Sequence, residues 1–143
     1  MPISWDDSLL TGIPTVDAQH KELFRQVNAF HAAMLQGKAR EELGKLLDFL
    51  GRYTQQHFFD EERFMEQYRC VAAATNKAAH QTLLKRFVEL RQRFDQEKTN
   101  VQVVMDIYRE LSDWLVNHVK AVDLLLRDAV QASHKTTVGA ANG

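Results

Sequence analysis

Four histidines and two carboxylates interrupt otherwise apolar stripes in this chain: His20, His57, Glu61, His80, His118 and Asp123. Ionisable side chains are seldom buried unless they are paired or bound to metal, so residues of this type in core-facing positions call for a partner. Imidazole and carboxylate without thiolate suit iron, zinc, manganese or copper, and two acids able to bridge favour a dinuclear site. His57 and Glu61 stand i,i+4, a spacing that lets both reach one site from a single helix face, and Asn76 and His80 repeat it. His118 and Asp123 are five apart, roughly 140° around a regular helix, so the helix must break or bulge if both bind.

The other chemistry-bearing residues do not join this set. A lone inward histidine is more often a hydrogen-bonded core residue than a ligand. His31 follows His20 by eleven residues, on the same face but roughly 16 Å along the axis, and reads as core or rim. His134 and Cys70 read as bystanders, the first in a tail and the second in a loop.

Four helices are needed to bring the six residues together. Val16, His20, Leu23, Phe24, Val27, Phe30, His31 and Met34 recur at three- and four-residue steps, which predicts a helix capped by Thr15 and ended at Gly37. A second and longer stripe runs from Leu43 to Met65, tolerating Gly44 and Gly51. A third takes in Asn76, His80, Leu83, Leu84, Phe87, Leu90 and Phe94 and ends near Gln96. Thr99 or Asn100 can cap the fourth, whose inner face reads Val103, Ile107, Leu111, Trp114, Leu115 and His118. Leu124, Leu125 and Leu126 extend it or start a short successor.

Short connections force consecutive helices antiparallel, so the expected fold is all-α: an up-down-up-down four-helix bundle behind an N-terminal arm. His20 and His80 then lie near the starts of their helices, and His57, Glu61 and His118 near the ends of theirs. An antiparallel bundle collects all of them at one end. The bundle is expected to occupy residues 1–130. The small, polar, Gly/Ala-rich residues 131–143 are expected to form a disordered tail.

Composition narrows the function. The chain has 143 residues, 45% of them hydrophobic, which is enough for one domain with one sizeable core. Its 18 basic and 19 acidic residues nearly cancel, and no basic stripe points to nucleic acid. Lys85, Arg86, Arg91 and Arg93 read as a solvated face. A single cysteine excludes a multi-cysteine metal cage and suits a reducing compartment. Neither a signal peptide nor a membrane-spanning run is evident, so the expected location is the cytoplasm. A ferritin-like carboxylate site needs Glu-x-x-His motifs on two helices. Asp17, Thr54, Lys77 and Leu115 occupy the positions three before the four histidines, which rules that arrangement out.

Over about residues 3–126 the chain resembles the hemerythrin family, specifically its single-domain bacterial members. The matching segments are Trp5 with Gly12-Ile13 and Val16-Asp17-Ala18-Gln19-His20, then His57-Phe58-Phe59-Asp60-Glu61-Glu62 with Met65, and Asp113-Trp114-Leu115-Val116-Asn117-His118 with Asp123. The resemblance implies two iron ions joined by an oxo or hydroxo bridge, with Glu61 and Asp123 bridging as well. His20 and His57 would hold the ion with an open position. The second ion would take His80 and His118, and a third histidine that this chain replaces with Asn76. The resemblance also places Leu23, Phe58, Trp114, Leu115 and Val119 around a pocket for O2.

An amide oxygen is a weaker and shorter-reaching donor than imidazole, so the expectation at Asn76 is water in the vacated position and a more labile second iron. The function implied is non-enzymatic binding of O2, or of another small diatomic, in storage, delivery or sensing. The alternatives are a di-iron enzyme with peroxidase-like or nitric-oxide-handling activity, and a metal-regulated interaction module.

Overall fold

A computed structural model describes residues 3–142, leaving aside the side chains of Val122 and 135–142. Pro14 opens the first helix, α1 (Pro14–Leu35), where its fixed φ and missing N–H suit the first turn. Thr15 is therefore inside the helix rather than its cap; Ile13 holds the cap position without a side-chain bond. Gly37, at φ +76°, takes the left-handed backbone that ends α1 and turns the chain.

The longest helix comes next, α2 (Ala39–Gln67), and then α3 (Ala73–Glu97). Gly44 and Gly51 let α2 lie close to α3. The Phe94 and Phe87 rings come within 3.5 and 3.4 Å of where a Cβ would sit, so little more than an alanine would fit at either glycine. Asn100 caps α4 (Val101–His118), its side chain accepting from the backbone N–H of Gln102 and Val103.

Between α4 and α5 (Leu124–Asn142) the chain makes one π-helical turn, Val119–Asp123. A π turn carries more residues than an α turn and so rotates the downstream residues around the axis. This is the bulge that the five-residue spacing of His118 and Asp123 demanded. α5 runs as helix to Asn142. Alanine has the highest helix propensity, and the buried Leu126 and Val130 anchor the helix.

In the bundle α1 packs on α2, α2 on α3 and α3 on α4, in the expected antiparallel succession. The main core joins Leu23, Phe24, Val27, Phe30, Leu47, Leu90, Ile107 and Leu111 along the bundle. A second cluster of Ile13, Val16, Met65, Cys70, Ala72, Leu126 and Val130 seats α5 on the loop between α2 and α3. Cys70, expected as a bystander thiol in a loop, is buried in it. The arm is tied down by Asp17, whose carboxylate accepts from Thr11 and Gly12, and by Trp5 set edge-on to Phe24. Among the described residues, no helix is long and apolar enough to cross a membrane.

Candidate metal centre

The π turn and the ends of α1 to α4 deliver all six expected residues to one buried place between the helices, none more than 7% exposed. Two groups of four form: His20, His57, Glu61 and Asp123, and Glu61, His80, His118 and Asp123. Within each group the ligand atoms lie within 4.8 Å of one another.

Both carboxylates belong to both groups and divide their oxygens between them. Glu61 Oε2 is 2.8 Å from His20 Nε2 and 3.4 Å from His57 Nε2, while Oε1 is 3.1 Å from His80 Nε2. Asp123 Oδ2 is 3.0 Å from His20 Nε2, and Oδ1 is 3.2 Å from His118 Nε2. Two donors at right angles, each about 2.1 Å from a shared ion, would lie about 3 Å apart. The observed separations fit that spacing, so the donor set suits a pair of ions bridged by two carboxylates.

The outward nitrogens of His57 and His80 are held as metal ligands require. His57 Nδ1 donates to the Gln19 side-chain oxygen at 2.7 Å, which leaves Nε2 with its lone pair facing the centre. Gln19 is itself fixed by donating to Asp60, which also accepts from Gln56. Glu62 lies 3.4 Å from His80 Nδ1 and serves that ring in the same way. Sequence reasoning did not single out Gln19 or Glu62 in these roles, though both sit beside a ligand, at His20 and Glu61.

Without metal, His20 keeps a proton between the two carboxylates. Burial lowers the proton affinity of His20, but hydrogen bonds and charges from Asp123 and Glu61 outweigh it and push the pKa up to about 10. Burial dominates at His57, which is pushed down to about 3. Burial works against both carboxylates, and the Asp123 charge against Glu61 as well, yet the surrounding histidines hold both Glu61 and Asp123 below their usual range.

Asn76 sits fully buried on α3, one turn before His80. It does not cap the helix, because Ala72 holds that position. Its side-chain N–H donates to Glu61 Oε1 at 2.9 Å, and its Oδ1 has no protein partner. The amide thus touches the centre on the side of the His80 group.

Next to the centre is a cavity of about 40 Å³. Leu23, Phe58, Trp114, Leu115 and Val119 all line it, together with His20, His57 and His118. Phe58 stacks on His80 and Trp114 on His118, with centroids 3.7 and 4.5 Å apart. Thr54 also faces the cavity and escaped the sequence reading; its hydroxyl is spent on the Leu50 carbonyl. Pockets for organic ligands run to about 300–1,000 Å³, so this one suits a diatomic molecule or a few waters.

The remaining residues lie elsewhere. His31 packs half-buried beside Tyr108, and His134 is exposed on α5. Arg86, Arg91 and Arg93 are engaged in ion pairs on the solvent face, with Glu89 and Glu110, Asp48 and Asp95, and Glu97 and Asp106.

Residues 11–129 match the family model described as hemerythrin HHE cation binding domain. The chain is 32% identical over 128 residues to the bacteriohemerythrin of Stenotrophomonas maltophilia (strain R551-3), spanning 90% of this chain and 81% of that protein. It is 35% identical over 122 residues to the bacteriohemerythrin of Methylococcus capsulatus, spanning 85% and 91%. The myohemerythrin of Sipunculus nudus is 30% identical over 122 residues, spanning 85% and 88%.

Proposed function

Because the chain belongs to the hemerythrin family, whose members hold a di-iron centre, we propose that it binds dioxygen or another small diatomic there without turning over a substrate. His20 and His57 would hold one ion and His80 and His118 the other, with Glu61 and Asp123 shared between them. The observation that carries this reading is the division of the two carboxylates, one oxygen to each histidine pair.

When bound, the iron pair supplies the electrons that allow O2 to be taken up and released. The protein's own part is positional. Gln19 and Glu62 orient His57 and His80, so the ligand nitrogens need little reorganisation. Leu23, Phe58, Leu115 and Val119 keep bulk water from the centre, and the cavity is too small for an organic substrate. The lone Cys70 is compatible with a reducing compartment such as the cytoplasm.

At the second ion, Asn76 replaces an imidazole with an amide already engaged by Glu61. An ion held there would be the more labile, with the position facing Asn76 left to water. The test is iron per chain and the visible spectrum, in air and after removal of oxygen, for this protein and for Asn76→His. Two irons per chain and an oxygen-dependent, reversible spectrum are expected, with faster loss of one iron to a chelator than in Asn76→His. Equal iron retention and equal spectra in the two proteins would overturn the role given to Asn76.

A further inference from the structure

Roughly 16 Å along α1 from His20, a second group of chemistry-bearing side chains gathers on the seam between α1 and α4. His31 and Met34 stand i,i+3 on α1, and Met105 and Tyr108 i,i+3 on α4, so each pair shares a helix face. All four line one open pocket of about 340 Å³. The His31 and Tyr108 ring centroids are 6.4 Å apart across the seam. Met34 and Met105 also line the adjoining pocket at the end of the bundle, which sets the two methionines together where the spaces meet.

Two of these groups want a partner. Half-buried His31 touches Tyr108 but makes no hydrogen bond or ion pair among the described residues. The hydroxyl of Tyr108, a residue only 8% exposed, has no partner in hydrogen-bond geometry, although Ser112 stands one turn on. Buried polar groups left in that state are met by water or an ion. The methionines favour the ion, because thioether sulfur is a weak acceptor for water but a good ligand for a soft cation.

We propose that His31, Met34 and Met105 form a site for one soft monovalent cation of the copper(I) class, separate from the candidate metal centre. An imidazole with two thioethers suits that ion, whereas hard divalent cations take oxygen ligands. The three donors are each partly exposed, so an ion reaches them from solvent. Asp113 on the exposed rim adds negative charge, and Arg109 beside it is paired with Asp106 at 4.0 Å.

The experiment is a titration of the iron-loaded protein with silver(I) in chloride-free buffer, silver being a soft monovalent ion that gives no electron to ferric iron. Methionine ε-methyl signals are followed by NMR, and iron is assayed before and after. One silver per chain is expected to shift the Met34 and Met105 methyls and to leave that of Met65, which is fully buried in the second core cluster. Met34→Leu and Met105→Leu conserve volume and are each expected to weaken binding about tenfold or more, as is His31→Gln, since even groups outside a metal's own ligands change affinity by about 10–100-fold. Cys70→Ala removes the other soft donor and is expected to keep both methyl shifts. Unmoved Met34 and Met105 methyls at saturation overturn the site, as does unchanged affinity in both methionine variants. Loss of the shifts in Cys70→Ala, or release of iron in step with silver uptake, overturns it too by placing the ion elsewhere.

Discussion

The amide of Asn76 donates to Glu61 Oε1 at 2.9 Å, the same oxygen that lies 3.1 Å from His80 Nε2. In the metal-free protein it therefore supports a buried carboxylate. Asn76→Asp removes that donor and sets a second negative charge beside the first. Metal-free Asn76→Asp is expected to lose about 1–3 kcal/mol of unfolding free energy, and the metal-loaded variant to lose less or gain. Urea unfolding with and without chelator measures the difference.

Gln19 holds His57 from a neutral amide that is itself anchored on Asp60. Gln19→Leu leaves the ring free to turn and its Nδ1 proton unpaired. Metal affinity is expected to fall about 10–100-fold, read by competition with a chelator. Glu62→Gln should cost less, because that contact is longer, at 3.4 Å, and partly exposed.

Proton linkage gives metal-free protein a stability maximum near neutrality. His20 is raised from 6.5 to about 10, so its contribution is complete below pH 6.5 and is lost as pH climbs through 10. His57 is lowered from 6.5 to about 3, so its contribution is complete above pH 6.5 and is lost as pH falls toward 3. Glu61 and Asp123, both held low, add to the loss on the acid side. Melting temperature against pH in the presence of chelator should peak close to pH 6.5.

Metal must displace the His20 proton. Uptake of a divalent ion at neutral pH is expected to release it, and affinity to rise by about tenfold per pH unit from this group until pH nears 10. Calorimetry in buffers of different ionisation enthalpy counts the protons.

Val119 is 1% exposed and lines the cavity at the start of the π turn. Val119→Phe fills that space at a cost of about 1–3 kcal/mol. Azide binding is expected to slow by about tenfold or more, ~1.4 kcal/mol of added barrier, with two irons per chain retained. Stopped-flow absorbance checks it.

The six residues of the candidate centre were legible in the sequence because each breaks an apolar stripe at a helix end, where a charged or imidazole side chain has no reason to be unless something holds it. The bulge before Asp123 was legible for a similar reason: a five-residue step cannot serve one site from a regular helix. The start of α1 was misplaced by two residues because threonine is a good cap in general, while the arm here instead feeds Pro14 directly into the first turn. The course of α5 was hidden, since an Ala- and Gly-rich composition is equally that of a tail. Its packing depends on Ile13, Met65 and Ala72, residues distant in sequence. Gln19, Glu62 and Thr54 act through neighbours rather than through their own type, and the Asn76 to Glu61 bond needs the register of α2 against α3, which no single-helix pattern contains.

The π turn at Val119–Asp123 makes this the stretch where the chain can least tolerate a change of length. Removing one residue from it would restore an ordinary helix and swing everything downstream by about 100°. Asp123 would leave the centre, and Leu126 and Val130 would leave their seat against Ile13 and Met65 in the same movement. The place of Asp123 in the candidate centre and the docking of the last helix are thus set by one shared phase, so a one-residue deletion cannot damage either without damaging both.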